Sequence, residues 1–324
     1  MDFISAVSLP NSSSSTHCPP LPFPPSPNPT SHTPVYKQKT SHTMSCTLVT
    51  AFYPIRSKFP SRQYLEWAKH YMTLHAPIVL FTEEHLAPVF HAMRPPPLPL
   101  HIVVLPFQSL ETWSGDYPEQ WRNQHALNPE GHIQGNVDGY LAQQTAELYA
   151  LWAHKPAFVE QAIQLNPFST DFFFWCDIGA FRSPPCPAIQ ERFPETKTMM
   201  RTRILLQSLS PVAPHEKERQ ADGLRGLPIT PAWKEPRLVG GLWGGGKEAC
   251  LAWKRACDAM RTRFFQAGRY AGNDQAVMLS VVLEQPELAL VVKPYGHIPD
   301  NNPWFYMEYT LSSLAEWKVD VSYL

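Results

Sequence analysis

The chain has 324 residues, enough to bury one large core or two small ones, with 44% hydrophobic and 17% charged residues. A formal net charge of −1, with no Lys/Arg stripe interleaved with aromatics, argues against a nucleic-acid partner. Six cysteines without a Cys-x-x-Cys make no disulfide framework, and no run of about 18 apolar residues marks a transmembrane helix. The opening MDFISAVSLP lacks the basic start and apolar run of a signal peptide, so the expected setting is cytoplasmic.

Residues 1–45 are rich in Pro, Ser and Thr and show no apolar periodicity. Such a segment cannot offset the entropy of ordering and is expected to be a disordered tail. The folded part is expected to be a single α/β domain over residues 46–324. Thr47–Tyr53 reads as a first strand, and Ser61 as the cap of a helix running to about Leu74. Ile78–Thr82 is a second strand, a short helix ends near Met93, and His101–Pro106 is a third strand. Continuous apolar runs bounded by turns suit parallel strands covered on both faces.

Residues 107–138 look irregular and aromatic. A long helix is expected from Tyr140 to Leu165, where Pro156 either kinks it or starts a second helix. Phe172–Asp177 reads as a strand, and residues 210–236 as a mobile insertion. Arg237–Leu242 reads as a short strand ending in glycines. Helices are expected at Lys247–Gln266 and Asp274–Leu283, and a late strand at Leu288–Lys293. Strand–helix alternation of this kind predicts a doubly wound sheet.

Four places could carry chemistry. The apolar run ending in Asp177 and Gly179 puts a carboxylate at the carboxyl end of a strand, where open α/β sheets bind ligands. Asp177 could equally cap the next turn. The run Val239–Lys247 (VGGLWGGGK) offers glycines for close backbone approach and N–H groups for an anion, or is a flexible strand-to-helix loop. Gly241–Lys247 also fits most of a P-loop, but Glu248 stands where Ser or Thr would hold magnesium. Asp274 and Gln275 begin a helix, where an acid suits the helix dipole and could also touch a polyol. His297 lies in a late loop, as a solvated residue or as a second metal ligand beside Asp177.

Several ordered segments resemble the bacterial HtrL/YibB family, whose members are similar to GT-A type glycosyltransferases. They are Thr50–Tyr53, Tyr64–Trp67, Ile78–Thr82, Trp152–Pro156, Asn166–Phe168, Phe174–Arg182, Gly240–Gly245 and Asn273–Gln275. The resemblance implies a GT-A-like (Rossmann-like), mixed, mostly parallel sheet flanked by helices, which binds a nucleotide-diphosphate sugar. It implies transfer of the sugar to a glycan, protein or small-molecule acceptor, with Mn2+ or Mg2+ held at Asp177, joined by His297. Asp177 and Asp274 are then the catalytic candidates. Lys155, Trp175, Gly179, Arg182, Gly240, Gly241, Gly244, Gly245 and Gln275 are the donor-binding ones. The usual Asp-x-Asp motif has Gly179 in its second place, which puts metal dependence in question and leaves Lys155 or Arg182 to neutralise the diphosphate. Two other readings compete: a non-catalytic nucleotide-sugar or glycan binding module, and a P-loop-like nucleotide hydrolase working through Lys247.

Overall fold

The computed structural model describes residues 46–127, 133–137, 140–226, 236–297 and 302–324. The tail expected over residues 1–45, and residues 227–235 of the expected insertion, lie outside the described residues. The strands are β1 (Cys46–Phe52), β2 (Ile78–Thr82), β3 (Leu100–Val104), β4 (Ile133–Val137), β5 (Tyr140–Gln143), β6 (Phe172–Cys176), β7 (Ile204–Gln207), β8 (Leu242–Gly246), β9 (Ala289–Tyr295) and β10 (Glu316–Val319). The helices are α1 (Ser61–Tyr71), α2 (Ala87–Met93), α3 (Tyr117–Ala126), α4 (Ala146–Leu165), α5 (Pro187–Arg192), α6 (Pro214–Lys217), α7 (Lys247–Gln266), α8 (Asp274–Glu284) and α9 (Tyr306–Thr310).

Eight strands form one sheet in the order β10-β9-β7-β8-β6-β1-β2-β3, and β4 and β5 pair separately. The pairs β1–β2, β2–β3, β1–β6 and β7–β9 are parallel, whereas β8 runs against β6 and β7, and β10 against β9. The result is a mixed, mostly parallel sheet flanked by helices, as the resemblance implies. From β1 the chain moves outward to β2 and β3, then returns to lay β6 on the other side of β1. The carboxyl ends of β1 and β6 therefore flank the point where strand order reverses, the place where open α/β sheets form a ligand crevice.

Alternation along β6 divides the core. Phe173 and Trp175 join the cluster under α4, α7 and α8, with Phe158, Trp253 and Val277. Phe172, Phe174 and Cys176 join the cluster on the other face, with Tyr71, Phe90 and Met307. Residues two apart on a strand share a face, so Asp177 follows Trp175 toward α4 and α8. The β1, β2 and β6 strands are buried throughout. This is why they read as unbroken apolar runs.

Several boundaries differ from the sequence reading. Ser61 is the first helical residue, and the cap position belongs to Pro60, with no capping side chain. The long helix starts at Ala146, where Thr145 Oγ1 accepts from the Leu148 N–H, and it runs on through Pro156. The stretch expected to be irregular contains α3 and β4. The glycine run is itself a strand, β8, and not the loop after one. Residues 210–226 are tied down by Arg237, whose Nε donates to the buried Glu216 at 3.0 Å, and by the Gly226 N–H, which donates to the Glu216 carbonyl. Cys46, Cys176, Cys250 and Cys257 are free and buried. No described helix is long and apolar enough to cross a membrane.

Candidate functional site

Helix α4 ends in Asn166, whose left-handed backbone (φ 35°) turns the chain back toward the sheet. Its side-chain oxygen accepts from the Thr170 N–H at 3.0 Å and its amide donates to the Thr170 carbonyl at 3.3 Å. The Asn-Pro-Phe segment thereby launches β6, and β6 delivers Asp177 just past its carboxyl end.

Three charged groups meet there. Lys155 Nζ, from the middle of α4, lies 3.3 Å from Asp177 Oδ1 and 2.9 Å from Asp274 Oδ2. It also donates to the Gly240 carbonyl at 3.1 Å and sits 5.8 Å from the Trp175 ring centroid. The Lys155 side chain is 7% exposed, Asp274 15% and Asp177 44%, so Asp177 is the member that solvent, or a ligand, can reach. Trp175 Nε1 donates to Asp177 Oδ1 at 2.7 Å, and the Asp177 N–H donates to the Gly241 carbonyl at 2.8 Å. Both side-chain interactions of Asp177 fall on Oδ1, and Oδ2 makes no hydrogen bond among the described residues.

The charges tune one another. Burial alone would lower the proton affinity of the Lys155 ammonium, but Asp177 and Asp274 outweigh it and raise it, so Lys155 stays protonated. Burial raises the proton affinity of the Asp177 carboxyl above the usual carboxylate range, opposed by Lys155 and assisted by the nearby Asp274. A partly exposed carboxylate with raised basicity can take a proton from a hydroxyl that reaches it.

The glycine run divides between two places. Because β8 is antiparallel to β6, Gly240 and Gly241 just ahead of it lie beside Asp177, and its last glycines lie at the opposite end. A Cβ on Gly241 would stand 3.0 Å from Asp177 Oδ2, and one on Gly240 would stand 3.0 Å from both oxygens of Asp274. These two glycines keep the carboxylate pair close. Gly244 and Gly245 do not line the cleft as expected. A Cβ on Gly244 would fall 2.4 Å from the Phe173 carbonyl, and one on Gly245 2.7 Å from that of Arg203, so both are covered by neighbouring backbone. Lys247 is also at the far end, its N–H donating to the Asp171 carbonyl ahead of β6 and its Nζ 4.0 Å from Asp171 Oδ1. The P-loop reading fails on this placement.

The remaining candidates take supporting positions. Trp175 is buried and stacked on Phe158 at 5.8 Å, so it orients Asp177 and presents no face to a ligand. Gln275 is half-buried, its side-chain amide donating to the Leu238 carbonyl, and its N–H is accepted by Asn273 Oδ1, which caps α8. Asp274 is the first residue of that helix, so the favourable dipole position and the pairing with Lys155 hold together. Arg182 is exposed beside three aromatic rings, and His297 is exposed after β9 without a bond to Asp177.

A metal ion at Asp177 fits this donor set poorly. Among the described residues no group of three His, Cys, Asp or Glu could hold an ion. The Lys155 ammonium already bridges the two carboxylates. An aspartate at position 179 would press on its neighbours, since a Cβ there would stand 3.0 Å from the Trp67 ring and 3.1 Å from Tyr64. The pairing of Asp177 with His297 is not assembled.

Periodicity and motif spacing did not single out the cavity behind Lys155 and Asp274. Its free space is about 20 Å3, room for one water, between α4, α7, α8 and β8, and Trp152, Trp243 and Trp253 line it. Its walls come from four distant segments, which is why no local pattern shows it.

No family model matches the chain, and no curated protein matches it. Among solved structures it is similar to core-mannan synthase A from Aspergillus fumigatus in its Mn/GDP form. That likeness has a TM-score of 0.40 at 11% identity, covering 85% of this chain and 82% of that one. At that level of likeness, the reading of the site rests on this chain's own geometry.

Proposed function

We propose that the cleft at the carboxyl ends of β1 and β6 binds a nucleotide-diphosphate sugar, in a GT-A-like domain, and transfers the sugar to an acceptor hydroxyl. One observation carries the reading: the fold brings Asp177 and Asp274, from distant parts of the chain, onto one buried ammonium at the strand-order switch point.

Asp177 is the better general base, because Asp274 is nearly enclosed and held against Lys155. The acceptor oxygen forms its bond to the anomeric carbon as the bond from that carbon to the diphosphate breaks. The hydroxyl proton passes to Asp177, and the bonding electrons leave with the diphosphate. Such a placed base contributes roughly 10²–10⁴ in rate. Lys155 is a positioning residue, which holds both carboxylates in place and keeps Asp177 from repelling Asp274. The test is a transfer assay against a panel of nucleotide sugars with wild type and Asp177→Asn. Loss of transfer with binding retained is expected; full activity in the variant contradicts the role.

A second reading is a non-catalytic binding module with the same cleft. The filled space at Gly179, where a second acidic ligand would stand, favours it. Tight binding of a nucleotide sugar with neither transfer nor hydrolysis would select that reading.

A further inference from the structure

Two cations stand on the loops that leave β1 and β6. Lys58 lies on the loop leaving β1 and Arg182 on the loop leaving β6, the two adjacent parallel strands between which the strand order reverses. Both side chains are exposed, and both flank one ring: Lys58 Nζ is 5.6 Å, and the Arg182 guanidinium 5.3 Å, from the Phe59 centroid. Arg182 also lies 4.8 Å from the Trp67 ring and 4.9 Å from the Phe305 ring. Phe59 and Tyr64 each pack edge-on against Trp67, at 4.9 and 5.4 Å, so the rings that seat Arg182 are fixed by their neighbours.

Among the described residues, neither cation makes an ion pair or hydrogen bond to a carboxylate. Burial, and then the charge of Arg182, lowers the proton affinity of the Lys58 ammonium. Burial likewise lowers that of Arg182, against the raising influence of Tyr64 and of the buried Glu308. Two exposed cations beside one ring attract an anion, with Glu308 offsetting only part of the Arg182 charge. A guanidinium held among aromatic rings is pre-organised, and its fork of N–H donors matches two phosphate oxygens. Lys155 cannot do this work, since it is buried and already engaged by two carboxylates.

We propose that Lys58 and Arg182 form a phosphate-binding subsite that receives the diphosphate of the nucleotide sugar. The identity of the ligand rests on the function proposed above; the affinity for phosphate rests on the cation pair alone. The subsite places the leaving group's charge beside β1 and leaves the acidic side at Asp177 for the acceptor hydroxyl.

Isothermal titration of the full chain with inorganic pyrophosphate, and separately with the nucleotide-sugar panel, tests this. Wild type is expected to bind pyrophosphate. Lys58→Gln and Arg182→Gln are each expected to weaken it about ten- to a hundredfold, the usual worth of a charge-assisted hydrogen bond. Arg182→Lys keeps the charge without the fork and is expected to fall between wild type and Arg182→Gln. Thermal melts of the variants check that the fold survives, as exposed positions predict. No pyrophosphate binding, or equal affinity in wild type and all three variants, overturns the subsite. If pyrophosphate binding depends on both residues but no nucleotide sugar binds, the subsite stands and the sugar-nucleotide reading falls. If nucleotide sugars bind wild type and variants alike, the sugar-nucleotide reading stands and the subsite falls.

Discussion

Lys155 sets the chemistry of the cleft. A buried ammonium costs several kcal/mol to desolvate, and Asp177 and Asp274 together offset that cost. Removing the cation leaves two carboxylates facing each other without a partner. Lys155→Met should therefore lower unfolding stability by about 3 kcal/mol, measured by denaturant titration, with much of the loss restored by Asp274→Asn in the same chain. A loss equal in the single and double variants would show that packing, and not charge, holds this corner. Asp177→Asn differs in kind. Its side-chain oxygen can still accept from Trp175, but it no longer takes a proton, so the account predicts a native melt with transfer lowered by about 10²–10⁴.

At the scale of elements, β8 decides where its glycines act. Gly244 faces Phe174 across the β6–β8 pair, and a Cβ there would meet the Phe174 Cα at 2.6 Å, which the strand pairing cannot relieve. Gly244→Ala should destabilise the fold by roughly 1–3 kcal/mol or more, whereas Gly241→Ala should displace Asp177 and depress activity more than stability. Urea titration and the transfer assay, run on both variants, separate the two. The β6 strand was legible in the sequence because both of its faces are buried, and α7 because its apolar positions repeat at helical spacing. Asp177 and Asp274 were legible as strand-end and helix-start acids. Their meeting at Lys155 was not, because it depends on how α4 and α8 lie over the sheet. The role of Gly244 and Gly245 was misread because five glycines in seven positions look like a loop. Only the antiparallel pairing with β6 shows why side chains are absent there. The strands β7 and β10 are four residues each, too short to carry a period.

For the whole molecule, the buried His154 makes stability depend on pH. Burial, assisted by the charges of Arg261 and Lys254, lowers its pKa to about 3, so it is neutral in the folded state. An unfolded chain takes up this proton near the ordinary histidine value of about 6.5. Between about pH 6.5 and 3 the unfolded state thus binds more protons, and stability falls with falling pH by up to about 1.4 kcal/mol per unit. His154→Gln should flatten that slope in urea titrations at pH 7, 6 and 5; an unchanged slope would assign the acid lability elsewhere. The same sheet order that buries His154 also brings β1 and β6 together, with Asp177 and the two cations on the segments that leave these strands. The most direct measurement is turnover of a nucleotide-sugar panel by wild type and Asp177→Asn, with binding followed in parallel by titration calorimetry. The account predicts that at least one nucleotide sugar binds both proteins and is turned over only by wild type. Failure of every nucleotide sugar to bind wild type, or equal turnover by the two proteins, would contradict it.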